Sequence, residues 1–298
     1  MGAVRRSRDE RPGPTKLVIS KRVVDVLASV GRLGVASVRE HLAPLHFPEL
    51  TTAHRFVARL HGASFVDVHV PHLNAGNLVT LRPKGLDLLA AHEHDESTLY
   101  IVRKLGIGTT HLLKTNSVRV ALVTAARRRG DVHVADVVSD MDVRRWLGSA
   151  AKRADALVPD LLVRLVVGDA ELRLLCEVDL GSETTKVWSA KVRAIHERYR
   201  LGAALAGFEA PWRPLLLARE SRLRTLARTT AELGGGELWV AGDLDAFVAD
   251  PYGAVLTTVA EVAKAHGPIA YELALAPAVT TAPTPAAAAA SAAKASPR

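Results

Sequence analysis

The chain has 298 residues, 48% hydrophobic and 23% charged, which is enough for about two domains with buried cores. No apolar run approaches the roughly 20 residues of a membrane span, and the single cysteine, Cys176, has no partner for an internal disulfide. The first 14 residues are charged and polar where a signal peptide is apolar, so a cytoplasmic location is expected. Lys and Arg number 39 against 31 Asp and Glu, a net charge of +8 that favours a polyanionic partner. Aromatic residues are only 4%, too few for a binder that stacks single-stranded bases, so double-stranded DNA is the expected nucleic-acid partner.

Residues 1–16 form an arm rich in Arg, Gly and Pro, and residues 276–298 an Ala/Pro-rich tail; neither composition can bury a core. Both are expected to be disordered, with Arg5, Arg6, Arg8, Arg11 and Lys16 either tracking phosphates or simply solvated. From Ser20 the pattern turns helical: Val23, Leu27 and Val30 share a face until Gly31 and Gly34 interrupt it. Ser37 and Glu40 have capping-box spacing ahead of a second short helix that ends near Pro44. Thr51 or Thr52 then caps a third helix, with Ala53, Phe56 and Leu60 inward and Thr52, Arg55 and Arg59 outward. Alternation over 65–70, a turn at Asn74, Ala75 and Gly76, and a further strand over 77–81 read as a β-hairpin.

Three helices followed by a hairpin is the order of a winged helix-turn-helix, assigned here to residues 17–95. Its third helix would enter the major groove of duplex DNA through Thr52, His54, Arg55 and Arg59. The same order also serves dimerisation and protein docking, because fold alone does not fix function.

After a linker over 96–109, Thr110 opens an amphipathic helix that runs to Arg127, Arg128 and Arg129, where cations suit the negative end of the helix dipole. A strand over 132–138, a loop carrying Asp140, Asp142 and Trp146, and a hairpin of 161–167 with 172–180 follow. In the second hairpin strand Leu172, Leu174, Cys176, Val178 and Leu180 alternate, so Glu177 and Asp179 share the opposite face. A helix over 183–201 and a strand over 215–218 complete an αβββαβ order; a helix over 223–233, a strand over 237–241 and a turn at Asp250 to Tyr252 extend it. Residues 253–275 show no assignable pattern. The fold class is α+β, with this domain spanning 110–275.

With Pro159-Asp160 opening the second strand and Glu177-Val178-Asp179 ending the third, the order resembles the PD-(D/E)xK, or restriction-endonuclease-like, superfamily. Over roughly residues 20–250 the chain also resembles the replication-relaxation family of plasmid and mobile-element proteins. The resemblance is carried by the winged helix, by His111-Leu112-Leu113-x-x-Asn116, by Pro159-Asp160, by Glu177-Val178-Asp179-x-Gly181-Ser182-Glu183, and by Lys191 and Tyr199. It implies action on double-stranded DNA of a mobile element, in replication or DNA relaxation, alongside replication or transfer proteins.

A nuclease core needs a hard divalent cation, usually Mg²⁺, to polarise the phosphate and activate water; Asp160 and Glu177 are the natural ligands, and Asp179 a further one. In the superfamily a lysine commonly sits where this chain has Asp179, so the cation beside the developing charge would have to come from Lys186 or, preferably, Lys191. Lys191 is otherwise a helix-edge lysine with its ammonium in water, and the three acids a solvated strand face. His111 is a minor candidate for orienting a phosphate or a carboxylate.

His92 and His94 lack the further ligands of a zinc site, and the glycine clusters at 106–108 and 234–236 lack the continuations of nucleotide-binding loops, so neither zinc nor a nucleotide cofactor is expected. Three functions follow: a DNA-binding protein whose nuclease-like domain is degenerate, a metal-dependent endonuclease or nickase using Asp160, Glu177 and Lys191, and a winged-helix transcriptional regulator. A homodimer would suit a palindromic site.

Overall fold

A computed structural model describes residues 17–276 apart from 71–75, 103, 107, 153–155, 182, 206–207 and 209–210. The basic arm, residues 277–298 of the Ala/Pro-rich tail, and Asn74 and Ala75 of the expected hairpin turn lie outside the described residues. Ala276, assigned from composition to the tail, is buried against the second of the two sheets described below.

Helix α1 (Lys21–Leu33) buries Val23, Leu27 and Val30 as its spacing dictates, and strand β1 (Val35–Ser37) follows. Ser37 accepts a hydrogen bond from the Glu40 amide, the first half of the expected capping box. The chain then makes a π-helical turn over Val38–Leu42 before α2 (Ala43–His46). Pro44 therefore does not end the helix. It sits in the first turn of α2, where a missing N–H costs nothing.

Helix α3 (Leu50–Gly62) starts from Glu49 without a side-chain cap. Thr51 and Thr52, expected to cap it, instead lie in its first turn with their side chains exposed. Strands β2 (Val66–His69) and β3 (Leu78–Leu81) pair antiparallel with Val66 opposite Leu81, and β1 adds on the far side of β3, so the sheet order is β1-β3-β2. An unanticipated helix, α4 (Pro83–Ala91), opens with proline in its first turn. It packs so closely that a Cβ on Gly85 would lie 2.5 Å from the Phe65 carbonyl oxygen.

The segment after α4 is tied to the N-terminal core near its middle. Leu99 is buried in the N-terminal core, and the Tyr100 amide donates to the Gly31 carbonyl. Helix α5 (Thr109–Arg129) ends at Gly130, whose positive φ provides the left-handed C-cap. The sequence suggests an amphipathic helix, but α5 is buried on both sides. Val120 belongs to the N-terminal core, while Val118, Leu122 and Ala126 face the second sheet. Asn116 and Ser117 hold the joint: Asn116 Nδ2 donates to the Leu33 and Val35 carbonyls at 2.9 Å each, and Ser117 meets His41 at 3.1 Å.

Strand β4 (Val132–Ser139) carries a bulge at Ala135, between the pairs Val134–Leu165 and Asp136–Arg164. The acidic segment after it is a helix, α6 (Asp140–Leu147), rather than the expected loop, and a complete Ser139–Asp142 capping box starts it. Next come β5 (Leu161–Val167), β6 (Ala170–Asp179), α7 (Thr185–Arg200), β7 (Arg213–Ala218), α8 (Glu220–Glu232) and β8 (Val240–Asp243). The chain closes with α9 (Leu244–Ala249), β9 (Ala254–Thr258), α10 (Val259–Lys264) and β10 (Leu273–Ala274), in the region the sequence left largely unassigned.

The second sheet has seven strands in the order β10-β9-β8-β7-β6-β5-β4; the pairs β6–β7 and β7–β8 are parallel and the rest antiparallel. Trp188, Val192 and Ile195 of α7 and Leu223 and Leu226 of α8 cover one face, while α5 and Phe247 of α9 cover the other. The architecture is mixed α+β. Among the described residues no helix is long and apolar enough to cross a membrane.

Candidate functional site

Strand β6 lies near the middle of a sheet covered on both faces, so the side on which alternation places Glu177 and Asp179 is interior, not solvent. Their side chains are 1% and 2% exposed. A buried carboxylate needs a partner to offset its lost hydration, and each has a different one.

Glu177 Oε2 accepts from Lys191 Nζ at 2.7 Å, and the same ammonium reaches Glu183 Oε1 at 2.9 Å. Helix α7, capped by Thr184, places Lys191 on the same side as Trp188, which leaves the ammonium over the C-terminal end of β6. Asp179 Oδ2 accepts from Arg222 Nε at 2.8 Å and from the Gly181 amide at 3.1 Å. Arg222, in the first turn of α8, also donates to the Glu183 carbonyl, so Glu183 touches both cations.

Asp160 precedes β5, and the pairing of Leu161 with Cys176 sets it opposite Glu177. Its Oδ2 accepts from the Val178 amide at 2.7 Å, and its Oδ1 meets His111 Nε2 at 2.8 Å. Burial raises the Asp160 pKa, but the His111 bond and the charges of His111 and Lys191 outweigh it, and the net shift is downward. The hydrogen bond to Asp160 in turn raises the pKa of His111. For Lys191, burial acts against the charged form, but Glu177, Asp160 and Glu183 more than compensate and hold the ammonium protonated. Burial pushes the Glu177 carboxyl up to about 8, against the pull of Lys191 and with the charge of Asp160 adding to the rise. Cys176, on the other face of β6, is fully buried with its thiol pKa raised by desolvation.

His111, Asp160, Glu183 and Lys191 form the floor of an open cleft of about 1260 Å³. Helix α7 is one wall, where Ala190 and Ala194 leave room, and Asp140 and Arg144 of α6 stand opposite. Burial and the neighbouring Asp160 raise the pKa of Asp140. Of the sequence candidates in this domain, Asp160, Glu177, Lys191 and His111 thus come together, whereas Asp179 is diverted to Arg222 and Lys186 is exposed in the first turn of α7 and does not line the cleft. Glu183 and Arg222 were not singled out for the site. Glu183 is eight residues before Lys191 and closes the quoted motif, but Arg222 lies 43 residues from Asp179 and carries no local signal.

Carboxylate oxygens suit Mg²⁺, but these three do not gather round one point. Arg222 holds Asp179 apart, both Asp160 oxygens are engaged, and Lys191 Nζ stands between Glu177 and Glu183. Among the described residues no three His, Cys, Asp or Glu are disposed to hold one metal ion. The donors as arranged form ion pairs and do not fit a magnesium centre.

The DNA-binding candidates lie elsewhere. On α3, Thr52, Arg55 and Arg59 are exposed and His54 half-buried, while Ala53, Val57 and Leu60 turn inward. Neither Arg55 nor Arg59 forms an ion pair among the described residues, and none of the four lines the cleft.

The sequence model of the replication-relaxation family matches residues 27–206, more than half of the chain, from within α1 to just beyond α7. The chain belongs to the replication-relaxation family. The match is shorter than the resemblance drawn from the motifs. It includes α3, His111, Asp160, Glu177 and Lys191 and stops before Arg222. Membership in the replication-relaxation family points to a role in plasmid or mobile-element replication or relaxation. No curated protein and no solved structure matches the chain.

Proposed function

We propose that this replication-relaxation protein binds double-stranded DNA of a plasmid or mobile element, with residues 17–95 acting as a winged helix and residues 110–275 as a degenerate PD-(D/E)xK-like domain. The carrying observation is the outer face of α3, where Thr52, Arg55 and Arg59 are exposed and the two guanidiniums, four residues apart, pair with no carboxylate among the described residues. Such a pair lies one helical turn apart, presents planar donors suited to phosphate oxygens, and pays no price of breaking internal salt bridges on docking. The antiparallel pair β2–β3 beside α3 supplies the wing in this reading. The ion-paired floor of the cleft supports the degenerate half, because its acids are already compensated from within.

The test is the salt dependence of duplex affinity. Each phosphate neutralised contributes about 0.9 to the slope of log K against log salt, so Arg55→Ala with Arg59→Ala should flatten it by about 2. The double lysine variant should retain the slope, since charge sets it. An unchanged slope in the alanine variant would remove α3 from the interface.

A further inference from the structure

The carboxylate cluster poses an electrostatic problem that the fold solves internally. Asp160, Glu177 and Glu183 lie around one ammonium, and Lys191 Nζ is within 2.7 and 2.9 Å of two of them. Glu177 Oε1 and Glu183 Oε2 are buried without a hydrogen-bond partner among the described residues. Unpartnered oxygens of this kind cost free energy and mark a place where a cation would be welcome. On the cleft side the Lys191 side chain is 19% and the Glu183 side chain 27% exposed.

We infer that Lys191 is the resident counter-ion of this cluster, taking the place a divalent cation would occupy, so that the wild-type protein folds without metal and a latent divalent site opens only when the ammonium is removed. The donors of that latent site are the two unpartnered oxygens together with Glu177 Oε2 and Glu183 Oε1, which Lys191 now engages. All four are hard carboxylate oxygens from two residues, a donor set that suits Mn²⁺ or Mg²⁺ and not zinc. While Lys191 is present, an entering divalent ion would meet a fixed positive charge within contact distance of its own ligands, and the site stays closed to it.

This deepens the reading of the sheet domain as degenerate, and its test uses no DNA, so its failure leaves the docking of α3 on a duplex standing. The wild-type protein, Lys191→Met, and Lys191→Met combined with Glu177→Gln are titrated with Mn²⁺. Bound ion is followed by loss of the free Mn²⁺ electron-spin signal, and the melting temperature is recorded in parallel. Lys191→Met is expected to melt lower than wild type in chelator, to recover with added Mn²⁺, and to bind the ion at least about tenfold more tightly than wild type. The Glu177→Gln change should abolish that gain. Lys191→Gln, whose amide still donates to Glu177, replaces the methionine variant if the latter does not fold. Wild-type binding of Mn²⁺ as tight as in the variant, or a wild-type affinity that depends on Glu177, would overturn the inference.

Discussion

Replacing Asn116 tests whether α5 holds the N-terminal unit in place. The residue is 3% exposed, and its Nδ2 donates to the Leu33 and Val35 carbonyls at 2.9 Å each, where α1 gives way to β1. Only the amide nitrogen can serve two carbonyls, since carbonyl oxygens accept and never donate. A net hydrogen bond is worth about 0.5–1.5 kcal/mol and a stranded buried acceptor costs about 1–3 kcal/mol, so Asn116→Ala should destabilise by about 2–4 kcal/mol. For a chain of this size that lowers the melting temperature by about 5–12 °C. Asn116→Asp should be at least as damaging, because it sets a carboxylate against two carbonyl oxygens at nearly unchanged volume. Thermal melts measure the size of the effect, and hydrogen exchange its place. Protection should fall in α1, β1 and β3 and persist in β5, β6 and β7. An Asn116→Asp protein that melts within about 1 °C of wild type would refute the assignment of these bonds as the joint.

Two further outcomes are expected. The folded-state pKa of His111 is raised above 6.5 by its bond to Asp160, so its contribution to stability is complete below that value and is lost as pH rises through the higher folded value. The melting-temperature gap between wild type and His111→Gln should therefore narrow between about pH 6 and pH 9, and an equal gap at both ends would show that the pair does not titrate with folding. Supercoiled plasmid incubated with the protein in Mg²⁺, Mn²⁺ or chelator should be retained on a gel with its topology unchanged. Nicking that requires both metal and Glu177 would replace the degenerate reading with that of a metal-dependent nickase.

Much of the fold was legible because single strands and helices declare themselves by period. The alternation in β6 gave the common side of Glu177 and Asp179, and the helix expected to run to Arg129 ends there, before Gly130. Alternation could not show that both faces of β6 are covered, since a central strand may carry paired charges inward; α7 follows β6 directly, but how it and the more distant α8 fold back over that face is set by tertiary packing. Helix α6 was missed because only Val143 is buried along it, leaving no apolar stripe to read, although Ser139 and Asp142 had capping spacing. Pro83 was an unused start signal for α4. At the site, the meeting of Asp160 with Glu177 followed from hairpin register. The pairing of Asp179 with Arg222 depends on how α8 packs after the parallel crossover, which no local pattern encodes.

The two ends of the long sheet bear on how copies of the protein can associate. At one end β10 contributes only two residues, and at the other β4 is eight residues long but is kinked by the Ala135 bulge and presents exposed His133 and Asp136. A neighbouring chain that tried to add itself strand to strand would find too short a template at one end and a broken rhythm of donors and acceptors at the other. Any pairing of two copies on a palindromic sequence would therefore run through helices or loops, and the sheet of each copy ends with itself.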